Sequence, residues 1–267
     1  MTDEAIGRLA ARLAAAEETR APCAPLRDEI AALAAARTPA EIAYAIQDVQ
    51  TQQRVAAGQR IAGRKIGLTS KAVQAQLGVD SPDFGTLFDV MGVGDGETIP
   101  LGALIQPKVE AEIAFVLDRD LTHERHTTAD ILRATAFAVA AIEVVDSRIA
   151  GWNIRLTDTV ADNGSSARFV LGTRPVSLAA LDLVECTMEM ETGGAVVSRG
   201  QGAACLGNPV NAAIWLADTM AAAGAPLRAG DVVLTGALGP MAVVSEPGVF
   251  TARISGLGSV RASFGKE

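Results

Sequence analysis

Gln106-Pro107-Lys108-Val109-Glu110-Ala111-Glu112-Ile113-Ala114-Phe115-Val116-Leu117 reads as a β-strand that carries two carboxylates where a strand ordinarily carries one. Side chains alternate across a strand, so Val109, Ala111, Ile113, Phe115 and Leu117 form one apolar face while Lys108, Glu110 and Glu112 share the other. Neighbours on one face lie roughly 6.5–7 Å apart at the backbone, which lets both carboxylates lean onto one cation at about 2 Å. Glu-x-Glu is common, however, and by itself it describes a solvated polar strand face equally well. The surrounding sequence has to decide.

The next strand pattern, residues 140–146, is apolar except for Glu143 and its final Asp146. A bare carboxylate in such a segment is costly to bury, by several kcal/mol, so Glu143 needs a partner. Taken alone, its default partner is a nearby base such as Arg148. Taken with Glu110 and Glu112, it completes three hard oxygen ligands from two neighbouring strands, a set suited to Mg²⁺ or Mn²⁺ with positions left open for water and substrate. No histidine or thiolate joins the set, which disfavours zinc. A cation with open positions suits a chelating 2-oxo or 2-hydroxy acid, for which it would act as a Lewis acid. Lys65 and Asp83 sit in glycine-containing stretches upstream, where they can serve as proton-transfer groups; equally, Lys65 can be a surface lysine and Asp83, after Pro82, a turn former.

Composition narrows the remaining classes. The 267 residues are 49% hydrophobic and carry a net charge of −8, enough for a sizeable core and without a basic stripe for nucleic acid or a polybasic membrane patch. No apolar run approaches the ~18 residues of a membrane span, and the acidic start is the wrong charge for a secretory leader, so a cytoplasmic protein is expected. Cys23, Cys186 and Cys205 are odd in number and widely spaced, which fits reduced, packed thiols.

Along the chain, residues 3–18, 30–37 and 39–58 carry helical patterns, with Asp3 as a cap and Thr38-Pro39 as an N-cap followed by proline at N1. From residue 61 short apolar runs alternate with glycines, with a short helix at 70–77. His123 and His126 fall in a charged loop read as a solvated turn. A helix is expected at 128–138, another at 156–160 before the polar cluster Ala161-Asp162-Asn163-Gly164-Ser165-Ser166, and a third at 208–223. Strands are expected at 169–171, 185–190, 196–197 and 232–235, with two more between 250 and 264. Short strands with helices gathered at one end predict an α+β fold, a mixed β-roll or barrel-like sheet. The division expected is a helical part over residues 1–60 and a β-roll catalytic domain over 61–267.

Several stretches together carry a family resemblance. They are Ala24-Pro25-Leu26-Arg27-Asp28, Gly63-Arg64-Lys65-Ile66-Gly67-Leu68-Thr69 and the run from Gln76 to Phe88, then Glu110-Ala111-Glu112, Ala141-Ile142-Glu143-Val144-Val145 and Asp158-Thr159-Val160-Ala161-Asp162-Asn163. Leu206-Gly207-Asn208-Pro209 and the run from Leu234 to Met241 complete them. In this combination the chain resembles the 2-keto-4-pentenoate (2-hydroxypenta-2,4-dienoate) hydratases of aromatic meta-cleavage pathways, within the fumarylacetoacetate hydrolase superfamily. The resemblance implies a Mg²⁺- or Mn²⁺-dependent hydro-lyase and a homo-oligomer, often a pentamer or decamer, with a decarboxylase or aldolase as a possible partner. It implies that Glu110, Glu112 and Glu143 are metal ligands, Lys65 and Asp83 a proton-transfer pair, and Ser165 a substrate-pocket serine. Gly164 stands where alanine is more usual, and Asp146 where some relatives have a small residue. The rival readings are a 4-oxalocrotonate decarboxylase, which uses a similar chelate for loss of CO₂, and a noncatalytic partner subunit of that decarboxylase.

Overall fold

Apolar residues at helical spacing build the first three elements of a computed structural model, which describes residues 2–71, 74 and 79–266. They are α1 (Thr2–Thr19), α2 (Arg27–Leu33) and α3 (Pro39–Ala56). Ile6, Leu9 and Leu13 of α1 pack with Leu26, Ile30 and, from α3, Ile42 and Ile46 in a core of their own, which also receives Ile149 and Val160 from far along the chain. The start of α3 is a capping box: Thr38 Oγ1 accepts from Glu41 N at 3.2 Å, and Glu41 Oε2 accepts from Thr38 N at 2.6 Å. Asp3 lies inside the first turn of α1 rather than capping it. Helix α2 starts three residues before the expected position and ends at Leu33, because Asp158 Oδ1 accepts from Leu26 N (2.7 Å) and Arg27 N (3.0 Å) and so caps it from a distant part of the chain. The short helix expected at 70–77 falls mostly outside the described residues.

The strands that follow are β1 (Ile61–Gly67), β2 (Asp83–Phe88), β3 (Gly92–Val93), β4 (Thr98–Pro100), β5 (Lys108–Leu117), β6 (Thr135–Val145), β7 (Ser166–Leu171), β8 (Thr187–Thr192), β9 (Ala195–Gln201), β10 (Val232–Ala237), β11 (Ala242–Val243), β12 (Gly248–Ile254) and β13 (Gly258–Gly265). Between them lie α4 (Thr128–Ala134), α5 (Leu156–Ala161) and α6 (Pro209–Ala222). One sheet runs β2-β1-β10-β5-β6-β7-β3, with β11 also on β5, and the other runs β4-β13-β12-β8-β9. The β1–β10, β3–β7 and β4–β13 pairs are parallel and the others antiparallel, giving a mixed α+β architecture.

The alternation read in β5 decides which way each side chain points. Val109, Ile113 and Phe115 enter the main core, where β6, β8, β12, β13 and α6 contribute Ile142, Met190, Ala252, Val260 and Leu216. Glu112 and Ala114 point to the opposite face, where Ala114 joins Val139, Ala141 and Leu234 in a smaller apolar cluster. The candidate site therefore lies on the face of the larger sheet that looks away from the main core.

Two further expectations need correction. The helix expected at 128–138 stops at Ala134: Phe137 and Ala138 pair with Val116 and Phe115 in β6, where a β-branched residue and an aromatic at 135 and 137 fit a pleated surface. His123 is exposed, but His126 is buried, with its backbone N and Nδ1 at 2.7 and 2.8 Å from Asp218 Oδ1. It ties the start of α4 to α6 and is not a solvated turn residue.

Candidate metal and substrate site

In the β5–β6 register Glu110 stands directly opposite Glu143, and Glu112 lies two residues further along, opposite Ala141. Oxygens from the three carboxylates come within 4.8 Å of one another. Like charges placed directly across a strand pair repel. Glu112 and Glu143 are fully buried while Glu110 is half-buried at the edge of a cavity. Glu112 Oε2 accepts from Gly236 N at 2.8 Å. Gly236 has φ +113°, and a Cβ there would run into the Thr69 side chain, so this donor depends on glycine.

Lys65 and Asp83 arrive from neighbouring strands. β1 carries Lys65 beside β10, which pairs with β5, and Asp83 opens β2 opposite Gly67. Lys65 Nζ lies 3.1 Å from Glu143 Oε2, and both residues are buried. Glu143 thus pairs with Lys65 and not with Arg148, the neighbour suggested by sequence. Burial opposes the Lys65 ammonium, but Glu143, Asp83, Glu110 and Glu112 surround it and hold its pKa above the ordinary lysine value. Burial raises the Asp83 carboxyl above its usual range, against the pull of Lys65. Burial, and then Glu143, push Glu110 up to about 8, and burial with Glu143 and Glu110 raises Glu112 well above the ordinary glutamate value. Without a cation, burial and mutual repulsion favour the protonated carboxyl at Glu110 and Glu112.

A divalent cation fits this place on one concrete ground. Glu112 Oε1 and Glu143 Oε1 are buried without a hydrogen-bond donor, and Glu143 Oε2 has only the Lys65 ammonium at 3.1 Å, a costly state for carboxylates that a hard cation relieves. The cluster opens onto a cavity of about 650 Å³ whose lining includes Lys65, Asp83, Glu110, Trp152, Ser165 and Leu238, a size suited to a small-molecule ligand.

Ser165 reaches that cavity on a left-handed turn in which Asn163, Gly164 and Ser165 have φ of 55°, 60° and 55°. A side chain at 164 would put its Cβ 2.9 Å from Lys65 Cε, so the glycine leaves room for the lysine stem. Such a run of left-handed residues holds only if the surroundings over-determine it. Asn163 Oδ1 accepts from Thr86 N at 2.7 Å and its Nδ2 donates to Thr86 O at 2.9 Å, stitching the turn to β2. Asp162 Oδ2 accepts from Ser165 Oγ (3.1 Å) and Ser147 Oγ (3.0 Å), while Arg148 Nε donates to Asp162 Oδ1 at 2.5 Å. The sequence marked 161–166 as a polar cluster, but it did not reveal Asp162 and Asn163 as the braces of the turn. Asp146 is another brace, accepting from Gln106 N (2.6 Å) and Ile105 N (2.8 Å) at the entry to β5.

Comparison with known proteins identifies the family and the fold. Residues 61–264 match the family model described as fumarylacetoacetate (FAA) hydrolase C-terminal. The chain is 62% identical to a 2-keto-4-pentenoate hydratase of Burkholderia vietnamiensis over 262 residues, and 60% identical to one of Paraburkholderia phymatum, covering 98% of each chain in both cases. Among solved structures, 4-oxalocrotonate decarboxylase from Pseudomonas putida G7, complexed with magnesium and adipate, superposes with a TM-score of 0.91 at 34% identity over 99% of this chain and 98% of that one. This chain belongs to the fumarylacetoacetate hydrolase family, among its 2-keto-4-pentenoate hydratases.

Proposed function

We propose that this chain hydrates 2-hydroxypenta-2,4-dienoate to 4-hydroxy-2-oxopentanoate, with Mg²⁺ or Mn²⁺ held by Glu110, Glu112 and Glu143. The observation that carries the reading is the gathering of three carboxylates, within 4.8 Å of one another, beside Lys65 at the head of one cavity. A hard divalent cation there supplies Lewis acidity toward the oxygens of a 2-hydroxy or 2-oxo acid. The chain's own residues handle the protons. Asp83 and Lys65 form the pair that takes the proton from the C2 hydroxyl and returns one to C5, giving the 2-oxo-3-enoate. Water then adds across C3 and C4, its hydroxyl to C4 and a proton to C3. Atoms balance, with one water consumed. Lys65, kept charged by four acids, stabilises the anion that develops between these steps. Ser165, turned into the cavity and hydrogen-bonded to Asp162, orients the substrate. The reading includes a cytoplasmic homo-oligomer; among the described residues no helix is long and apolar enough to cross a membrane.

The test is to supply the purified chain with Mg²⁺ or Mn²⁺ and the dienoate and identify the product by NMR. The expected result is 4-hydroxy-2-oxopentanoate, lost in Glu110→Gln and Glu112→Gln variants that still fold. Full turnover by either variant after chelation would sink the proposal. The similarity to the decarboxylase makes one parallel assay necessary. CO₂ release from 2-oxohex-3-enedioate that outpaces dienoate hydration would replace the hydratase reading with a decarboxylase one.

A further inference from the structure

Lys108 opens β5 on the face that carries Glu110, and its side chain lines the mouth of the cavity. Its ammonium lies 4.1 Å from the centre of the Trp152 ring; Glu110, on the same strand face, acts on it electrostatically, but among the described residues it is drawn into no salt bridge. The other cations lining the cavity are already matched: Lys65 by Glu143 at 3.1 Å, and Arg199 by Glu189 at 2.8 Å.

The ring under Lys108 is fixed by unusual effort. Gly151 and Trp152 both have left-handed backbones, with φ of 63° and 55°. Trp152 Nε1 donates to Gln106 O at 2.9 Å, and Gln106 Nε2 donates to Ser147 O (2.7 Å) and Ile149 O (2.6 Å). A bulky residue held in this conformation by a braced partner is a preorganised shelf. It holds the ammonium by its π face, which attracts a cation without neutralising it. The charge is therefore kept available.

An anionic substrate needs such a charge. Fully ionised, three glutamates and Asp83 against Lys65 and a divalent cation leave the loaded pocket net negative, in a chain whose net charge is already −8. A carboxylate approaching that pocket meets repulsion unless the mouth offers a counter-charge.

We propose that Lys108, presented on the Trp152 shelf, is the receiving cation for the anionic substrate: it draws the carboxylate to the mouth and discriminates against uncharged analogues. The inference rests on the proposed use of a 2-hydroxy or 2-oxo acid, but its test does not depend on hydration. In the metal-loaded protein, binding of 2-oxopentanoate, an acid lacking the dienol, is measured by calorimetry for wild type, Lys108→Met and Lys108→Arg at 20 and 300 mM salt. Lys108→Met is expected to weaken binding about tenfold at low salt and to flatten its salt dependence, while Lys108→Arg stays near wild type. On the dienoate, KM should rise in Lys108→Met by a similar factor with kcat little changed. Equal affinity and equal salt slope in wild type and Lys108→Met would overturn the inference. Wild type that binds 2-oxopentanoate in a Lys108-dependent way but does not hydrate the dienoate would leave this inference standing and remove the proposed function instead.

Discussion

Replacing Glu112 by glutamine isolates the charge conflict at the site, because the amide oxygen of the new side chain can still accept from Gly236 N–H. Burial and the neighbouring Glu143 and Glu110 raise the Glu112 carboxyl well above its ordinary value of 4.5. In the metal-free protein the native state then binds more protons than the unfolded chain between that ordinary value and the raised one. Stability falls as pH rises through this window, by up to about 1.4 kcal/mol per pH unit for each such group. Glu110, pushed up to about 8, is raised by burial and by the same Glu143, so its titration is linked to that of Glu112. As pH rises from 6 to 8 the metal-free wild type should therefore lose more stability than Glu112→Gln, seen as a steeper fall in Tm. Added Mg²⁺ or Mn²⁺ should reverse the order, because it stabilises wild type and leaves the variant nearly unmoved. Thermal denaturation at several pH values, with chelator and then with metal, reads all of this. A metal-free wild type whose Tm is flat from pH 6 to 8, or a variant stabilised by metal as much as wild type, would refute the reasoning.

Lys65→Met should lower kcat at least about 100-fold while weakening Mg²⁺ binding far less, as read by steady-state kinetics and calorimetry; an unchanged kcat removes Lys65 from the proton chemistry. Gly236→Ala forces a side chain onto φ +113° against Thr69 and disturbs the donor to Glu112, so it should cost about 2 kcal/mol or more in a denaturant titration and weaken metal binding with it. An unaltered midpoint would show that the backbone can shift there freely. Asp162→Asn leaves the buried Arg148 guanidinium without its counter-charge and should cost about 3–5 kcal/mol, whereas Asp218→Asn, against His126, should move Tm but not kcat. A kcat loss in the second variant would connect the α4–α6 contact to the site.

The parts of the site that were legible in the sequence are those written in local periodicity. Alternation in β5 placed Glu110 and Glu112 on one face, and an apolar strand made Glu143 conspicuous. What stayed hidden was set by pairing across distance. Arg148, five residues from Glu143, is the sequence neighbour, yet β6 ends at Val145 and the chain then turns Arg148 toward Asp162. Lys65, 78 positions upstream of Glu143, takes the place instead, because β1 and β5 flank β10. The early start of α2 has the same origin, since its cap is Asp158. His126 was hidden for a different reason: a charged loop sequence does not show that one of its members faces a helix from the far end of the chain.

Local rules break where β5 meets β6, and the break explains why the site is there. Cross-strand pairing disfavours two carboxylates face to face, yet Glu110 and Glu143 are so placed. The strands cannot relieve this by slipping one residue, because that would turn Val109, Ile113 and Phe115 out of the main core and swing the glutamates into it. Neither can Glu112 and Glu143 escape to water, since both are fully buried on the opposite face, Glu143 against Lys65. Apolar burial on one face thus holds an electrostatic conflict in place on the other. Lys65 offsets one of the charges and protons can offset others, but only a multivalent cation satisfies all three carboxylates without costing the cluster its ionised form. This is why the proposed ligand set consists of the three residues that the β5–β6 register sets against one another.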